Sequence, residues 1–316
     1  MIILKRLISL FLVFSVFLSF ASCTSQKVNY EEPADNAAAT TEKNKYNTHT
    51  GRKPLEKIHF QVKDSENSRG ISTNLIEHSY GVAKDGKAHR ISFESQSFFE
   101  SKKLSAVTLG NISENKIYLT FDCGYENGNT TKILDVLKEK NVKAAFFCTL
   151  DNIKSEPELI ARMINEGHIV GNQSTTHPSF DKLSRTEMVQ EIETCENYLR
   201  ENFGYSSKYF RFPMGNYSEC ALELVGSLGM TSVFWSLAYA DWDTDNQKGA
   251  DYAFEKVTSR LHPGAIVLLH SVSRDNADAM SKIIDYALKN GYVFATLDDL
   301  NINYSNYNTK KQFVQS

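Results

Sequence analysis

The length and composition of the chain limit the kind of protein it can be. With 316 residues, it is long enough for one large α/β domain with additional segments. Hydrophobic residues make up 41% and aromatic residues 11%, which excludes a chain that is disordered throughout. Its 35 Lys and Arg against 38 Asp and Glu give a net charge of −3, whereas nucleic-acid-binding proteins normally carry a basic excess. We therefore expect no nucleic-acid partner.

The N-terminal residues have the features of a secretory signal peptide. Lys5 and Arg6 precede an uncharged apolar run that ends at Ala21. As a helix this run would span roughly 22 Å, short of a ~30 Å hydrocarbon core, which favours a signal peptide over residues 1–22. Small residues stand directly before Cys23, which resembles a bacterial lipobox and predicts a lipidated cysteine. The alternative is an ordinary signal peptide whose cleavage site lies beside a chance cysteine.

The rest of the chain divides by composition into four segments. Residues 23–54 contain almost no aliphatic side chains, which predicts a flexible tether behind the lipidated cysteine. Residues 55–115 are mixed and are interpreted as an irregular segment that packs on the main domain. Residues 116–302 form that domain, and residues 303–316 form a loose polar tail. These features together predict an exported protein, anchored by lipid on the outer face of the cytoplasmic membrane.

The main domain alternates between predicted strands and predicted helices. Two capping-box patterns, Ser155 with Glu158 and Ser184 with Glu187, mark helix starts. Strands that alternate with helices predict an α/β fold with a parallel sheet covered on both faces, as in a barrel. Seven segments have the length and apolar character of strands: 117–122, 142–149, 168–173, 209–213, 231–237, 265–270 and 292–297.

Polar and ionisable residues recur where the predicted strands end. Because the carboxyl ends of parallel strands meet at one rim, we expect these side chains to lie close together. Taken singly, each has a structural explanation, such as a turn or helix cap for an aspartate and a packed position for a histidine. Five such groups at one rim are much less expected by chance and indicate a catalytic site. They are Asp122, His177, Arg211, Asp241 and His270.

Several stretches around these residues resemble one known family. They are residues 120–128 (Thr-Phe-Asp-Cys-Gly-Tyr-Glu-Asn-Gly), 234–238, 262–273 and 275–277. Over roughly residues 116–300 the sequence is identified as a member of the polysaccharide deacetylases, also called the NodB-homology domain or carbohydrate esterase family 4. It most resembles the spore-cortex branch of delta-lactam-biosynthetic de-N-acetylases. The resemblance implies a distorted (β/α) barrel of seven or eight strands and hydrolysis of an N-acetyl group, here on N-acetylmuramic acid of peptide-stripped peptidoglycan.

The resemblance also implies catalytic roles. Amide hydrolysis needs an activated water, a general base, a stabiliser of the oxyanion and an acid for the leaving amine. Asp122 would be the base that deprotonates water, and His270 would be the acid that protonates the departing nitrogen. Asp241 would orient His270 and balance its charge, while Arg211 would favour the ionised form of Asp122.

Substrate and metal positions follow from the same resemblance. Trp242 would form an apolar wall near the acetyl methyl group, and the backbone N–H of Tyr125 would help to bind the oxyanion. The family binds a divalent metal, which we expect to be zinc, through one Asp and two His. These positions hold Cys123, Gln173 and His177 here, so only His177 matches the family. A thiolate ligates zinc well but a neutral amide does so poorly, which predicts a weak or lost metal site.

Two other functions fit the same sequence. One is a non-catalytic lipoprotein that binds glycans or acts as a scaffold, an alternative that Gln173 favours. The retained base, acid and orienting residues favour an active enzyme, because a binding protein needs no general acid. The other is a deacetylase of a different N-acetylated glycan, such as one built of N-acetylglucosamine. The expected partners are peptidoglycan glycan strands and, through the lipid anchor, the membrane.

Overall fold

A curled parallel β-sheet forms the centre of the computed structural model, which describes residues 49–300. The predicted signal peptide, the lipidation at Cys23, most of the tether and the tail lie outside the described residues. None of the helices among residues 49–300 is long and apolar enough to cross a membrane. The strands are β1 (Ile76–Glu77), β2 (Ala106–Val107), β3 (Lys116–Cys123), β4 (Ala145–Cys148), β5 (Ile169–Asn172), β6 (Tyr209–Phe210), β7 (Asn216–Tyr217), β8 (Thr231–Val233), β9 (Ala265–His270) and β10 (Val293–Ala295). The α-helices are α1 (Arg90–Ser101), α2 (Thr130–Glu139), α3 (Leu150–Ser155), α4 (Pro157–Asn165), α5 (Arg185–Phe203), α6 (Glu219–Ser227), α7 (Ala250–Thr258) and α8 (Arg274–Lys289).

The sheet curls into a distorted barrel, as the sequence predicts. Neighbouring strands follow the order β10-β3-β4-β5-β6-β8-β2, and β9 also pairs with β3. The ladder pairs of this sheet are parallel. Leu237, which follows β8, pairs in parallel with Val267 of β9, and this contact joins the two sides of the curl. The barrel is irregular because β6 and β8 contain only two and three residues, shorter than the predicted 209–213 and 231–237.

Alternation along β3 separates an outer core from the inside of the barrel. Successive side chains of a strand point to opposite faces, so residues two apart share an environment. Leu119, Phe121 and Cys123 are buried in the outer cluster, together with apolar residues of α2, α4, α7 and α8. Tyr118 belongs to a second buried cluster, which also contains apolar residues of α1, α5 and α6, and Asp122 lines a cavity at the end of the strand. The adjacent residues Asp122 and Cys123 therefore lie on opposite faces of the sheet.

The predicted helix starts are partly correct. Ser184 accepts a hydrogen bond from the backbone of Glu187, whose carboxylate accepts one in return, and this capping box begins α5 as predicted. The capping box at Ser155 is wrong, because Ser155 is the last residue of α3. Thr149 caps α3 immediately after β4, and a separate helix then begins at Pro157. Proline suits this first position because its fixed φ is helical and its missing N–H leaves no unsatisfied donor.

The segment over residues 55–115 is more regular than the sequence analysis expects. It contains α1, whose buried residues Ser92, Phe93, Gln96 and Phe99 follow a helical spacing. It also contains β2, which pairs with β8 and so belongs to the main sheet. The apolar stretches 90–93 and 97–99 belong to this one helix, so the interpretation as irregular structure is wrong for these residues.

Candidate active site

A cavity of about 550 Å³ opens at the carboxyl ends of the central strands. Asp122 at the end of β3 and His270 at the end of β9 are register partners on neighbouring strands. Arg211 and Asp241 each form a hydrogen bond with one of them. Six of the site residues expected from the sequence line the cavity, namely Asp122, Tyr125, Gln173, His177, Trp242 and His270.

Two donors hold the carboxylate of Asp122. Nη1 of Arg211 lies 2.8 Å from Oδ1, and Nε2 of Gln173 lies 2.6 Å from Oδ2. Arg211 is fully buried, donates to the carbonyl oxygens of Val233 and Phe234, and so cannot swing away. Burial lowers the pKa of Arg211, and the charge and hydrogen bond of Asp122 oppose this effect. The guanidinium keeps its charge in proteins, so the carboxylate of Asp122 has a fixed cationic partner at 2.8 Å.

His270 is held by a buried carboxylate. Oδ1 of Asp241 lies 2.7 Å from Nδ1 of His270, and Oδ2 accepts the backbone N–H of the same residue at 2.8 Å. Burial lowers the pKa of His270, but the hydrogen bond and charge of Asp241 outweigh it, so this pKa lies above its usual value. Because Asp241 engages Nδ1, proton exchange with a ligand in the cavity falls to Nε2. This is the arrangement expected of a histidine that acts as a general acid.

The network behind His270 extends further than the sequence analysis predicted. Nδ2 of Asn276 donates to Oδ2 of Asp241 at 2.6 Å, and the hydroxyl of Tyr239 donates to Oδ1 of Asn276. Asn276 is fully buried near the start of α8. Asn276 belongs to one of the stretches that resemble the family, but no role was predicted for it. Nothing in the sequence indicated a role for Tyr239, because its position two residues before Asp241 is compatible with ordinary core packing.

Exposed apolar side chains surround the mouth of the cavity. Tyr125 is 53% exposed, Trp242 is 58% exposed and Met214 is 58% exposed. The ring of Trp242 meets His270 edge-on, with centroids 5.9 Å apart. Large exposed apolar groups around a polar centre are typical of ligand-binding surfaces. Their positions agree with the substrate-binding roles that the resemblance implies for Tyr125 and Trp242, which stay predictions.

Some walls of the cavity come from residues that the sequence analysis missed. Tyr80 lines the cavity, although it belongs to the segment interpreted as irregular. Met214 has a left-handed backbone, with a φ of 58°, which is uncommon for a residue other than glycine. Trp235 packs close to Gly215, where an added Cβ would lie 2.8 Å from its ring. No sequence pattern could reveal these contacts, because they join segments that are far apart in the chain.

The residues at the expected metal positions are spread over two environments. His177 lines the cavity, and burial of its ring lowers its pKa, which favours the neutral imidazole. Cys123 is 1% exposed and lies in the outer cluster. Its neighbour across the sheet is Cys148, and a hydrogen bond between the two thiols, followed by burial, raises the pKa of Cys148. The Cys123 thiol therefore does not face His177 across the cavity.

These residues do not fit the divalent metal that the sequence analysis expects. Gln173 directs an N–H donor at Asp122, and a donor cannot ligate a cation. Cys123 is buried beside Cys148 in the outer cluster and does not line the cavity. Over residues 49–300, no group of three or more His, Cys, Asp or Glu side chains is placed to share a metal ion.

Comparisons with known proteins agree with this geometry. A family model described as polysaccharide deacetylase matches residues 110–233. An uncharacterized 30.6 kDa protein of Geobacillus stearothermophilus is 46% identical over 63% of this chain and 75% of its own. The peptidoglycan-N-acetylmuramic acid deacetylase PdaA of Bacillus subtilis is 45% identical over 63% of this chain and 76% of its own. The structure of B. subtilis PdaA, described as a family 4 carbohydrate esterase, matches with a TM-score of 0.68 and 40% identity over 73% of this chain and 98% of that one. Because the barrel, the cavity and these relatives agree, the chain belongs to the polysaccharide deacetylase family of carbohydrate esterases.

Proposed function

We propose that this protein is a hydrolase that removes the N-acetyl group from peptidoglycan, with N-acetylmuramic acid as the sugar. The observation that carries the proposal is a carboxylate and an imidazole on neighbouring strands, each held in place by a hydrogen-bonded partner. Arg211 holds the carboxylate of Asp122, and Asp241 holds the imidazole of His270, at the end of the same cavity. A base and an acid on opposite sides of one bond are what amide hydrolysis requires.

The reaction follows from these residues. Asp122 takes a proton from a water molecule, and the water oxygen attacks the carbonyl carbon of the acetamido group. The carbonyl oxygen becomes an oxyanion, to which the backbone N–H of Tyr125 donates a hydrogen bond. Nε2 of His270 then gives its proton to the sugar nitrogen, the C–N bond breaks, and the products are acetate and an amino sugar. Asp241 balances the charge of the imidazolium before the proton leaves.

The choice of N-acetylmuramic acid rests on the identity with B. subtilis PdaA, whose name specifies that sugar. Trp242, which lines the cavity, would form an apolar wall near the acetyl methyl group of either N-acetyl sugar. Deacetylation would free an amine close to the lactyl carboxyl of the same muramic acid. Closure of these two groups, with loss of water, gives the muramic delta-lactam of spore cortex, which we propose as the fate of the product.

Release of acetate tests the proposal directly. The chain from Thr24 to Ser316 is incubated with glycan strands stripped of peptide, with and without added zinc, and with the Asp122→Asn variant as a control. We expect acetate from the wild-type chain and at least about a hundredfold less from the variant, the lower range for general acid–base groups. Strands that contain only N-acetylglucosamine should release little. Release from those strands alone would assign a different sugar.

A second candidate is a glycan-binding protein of the same fold without activity. The donor set that does not fit a metal favours this candidate, because the relatives belong to a metal-dependent family. A wild-type chain that binds glycan strands and releases no acetate at any zinc concentration would establish it and refute the hydrolase.

We further propose that the protein is exported and held on the outer face of the cytoplasmic membrane by a lipid on Cys23. The support is the sequence of residues 1–23, which lie outside the described structure. Several acyl chains on one cysteine give stable anchoring, whereas one chain binds weakly. The Cys23→Ala variant should leave the membrane fraction or stay unprocessed. A variant that matures and fractionates like the wild type would show that Cys23 is not lipidated.

A further inference from the structure

The orientation of Gln173 is fixed by its neighbour. A carboxylate accepts hydrogen bonds and cannot donate, so the amide nitrogen of Gln173 must face Oδ2 of Asp122, at 2.6 Å. The planar amide then turns its oxygen, the atom that could ligate a cation, away from this contact. Gln173 is 2% exposed, and its backbone N–H donates to the carbonyl oxygen of Cys148. The side chain is therefore set in place as a donor to the base.

The negative charge in the cavity is already balanced by a positive charge of the protein. Among the described residues that line the cavity, Asp122 is the one carboxylate, and the buried guanidinium of Arg211 already pairs with it. A divalent cation at this place would add two positive charges beside Arg211, and of the three residues at the expected metal positions only His177 would offer it a ligand from the cavity wall. Such cations are held by four or more ligands, usually with carboxylates, thiolates or several imidazoles among them. Burial makes an uncompensated charge costly.

We propose that Gln173 is a positioning residue for Asp122 and that hydrolysis at this site proceeds without a bound metal ion. The inference rests on the proposed function. Gln173 and Arg211 together fix both oxygens of the base, so that one of its remaining lone pairs receives the proton of the attacking water. The task of holding that water falls to Asp122 and the imidazole of His177, both of which line the cavity.

The first arm of the test measures metal. The chain from Thr24 to Ser316 is treated with a chelator, offered zinc, manganese or nickel in turn, and analysed for bound metal by elemental mass spectrometry. We expect substoichiometric metal in each case and unchanged acetate release after chelation. One tightly bound ion per chain, or activity that chelation abolishes and metal restores, would overturn the proposal. If the chain released no acetate and bound no metal, the proposed function would fail with the metal-free hydrolysis, and only the finding that these residues do not hold a metal would stand.

The second arm tests the hydrogen bond. Gln173→Met keeps the length of the side chain and removes the donor, and Gln190→Met on the exposed face of α5 is the matched control. Loss of a hydrogen bond to a charged group should lower kcat by about tenfold to a hundredfold. KM should change little, because Gln173 acts through Asp122. A kcat equal to that of the control variant would refute the positioning role.

A third variant separates a positioning residue from a weakened ligand. Gln173→His offers an N–H that can donate to Asp122, and it also offers the imidazole that a metal would accept. We expect this variant to exceed Gln173→Met in kcat without taking up metal, because the thiol of Cys123 still lies on the outer face. Uptake of one zinc per chain with a gain in activity would show that the donor set fits a metal, and the proposal would be wrong. Thermal melts establish which variants are folded. If Gln173→Met does not fold, the measurement of metal bound to the wild type decides whether the site holds an ion.

Discussion

Replacement of Asp241 by Asn tests how His270 is kept protonated. Asp241 is 3% exposed and accepts from Nδ1 of His270 at 2.7 Å, from its backbone N–H at 2.8 Å and from Asn276 at 2.6 Å. Asn keeps the shape and removes the charge. Burial, which lowers the pKa of His270, would then act without the opposing carboxylate. A carboxylate this close shifts the pKa of its partner by about 1–3 units. In Asp241→Asn the pKa of His270 should therefore fall by about 1–3 units, because the charge that raised it is gone.

The pH dependence of activity follows from the sign of this change. A general acid must carry its proton, so activity falls as the pH rises through the pKa of His270. In the wild type this alkaline limb lies above the ordinary pKa of histidine, because Asp241 raises it. In Asp241→Asn the limb should move by about 1–3 pH units to lower pH. At neutral pH, acetate release should fall by up to about 10- to 10³-fold, because each unit by which the pKa falls lowers the protonated fraction of His270 by up to tenfold.

The position of the alkaline limb is measured as kcat/KM for acetate release across the pH range. The control is Asp245→Asn, which removes an exposed carboxylate from the same loop and should leave the profile unchanged.

The pH dependence of stability gives an independent check. A raised folded-state pKa contributes stability that is present below the unfolded pKa of about 6.5 and is lost as the pH rises through the folded value. The advantage of the wild type in the free energy of unfolding should therefore shrink with rising pH. A folded Asp241→Asn protein with an unmoved alkaline limb would refute the assignment of His270 as the acid.

Three further substitutions test the surroundings of the site. Asn276→Ala removes the acceptor of the Tyr239 hydroxyl and should lower the free energy of unfolding by about 1–3 kcal/mol, as measured by urea titration; an unchanged value would mean that water replaces the amide. Ser184→Ala breaks the capping box of α5 and should cost about 0.5–2 kcal/mol of stability while the rate of acetate release stays the same. Gly215→Ala places a Cβ 2.8 Å from the Trp235 ring at a φ of +72° and should cost more than about 0.4–1 kcal/mol; an unshifted thermal midpoint would contradict this packing.

The sequence by itself determined the architecture and the candidate catalytic residues at one rim of the sheet. Strand-length apolar runs between helical periods require a covered parallel sheet, and the carboxyl ends of such strands meet at one rim. Asp122 and His270 could therefore be assigned to one site before any coordinates, because each stands at the end of a predicted strand. Local chemistry also sufficed for the start of α5, where Ser184 and Glu187 satisfy each other's backbone donors within four residues.

Only the tertiary structure decided which way the side chains face. Cys123 and Asp122 are neighbours in sequence, yet the thiol of Cys123 is buried in the outer cluster whereas Asp122 lines the cavity. The donor of Gln173 became visible only when β5 and β3 lay close enough for a hydrogen bond to Asp122. The network from Asp241 to Asn276 likewise joins residues 35 positions apart. A sequence pattern records spacing along the chain, whereas hydrogen bonds and metal sites depend on distances and directions that packing alone sets.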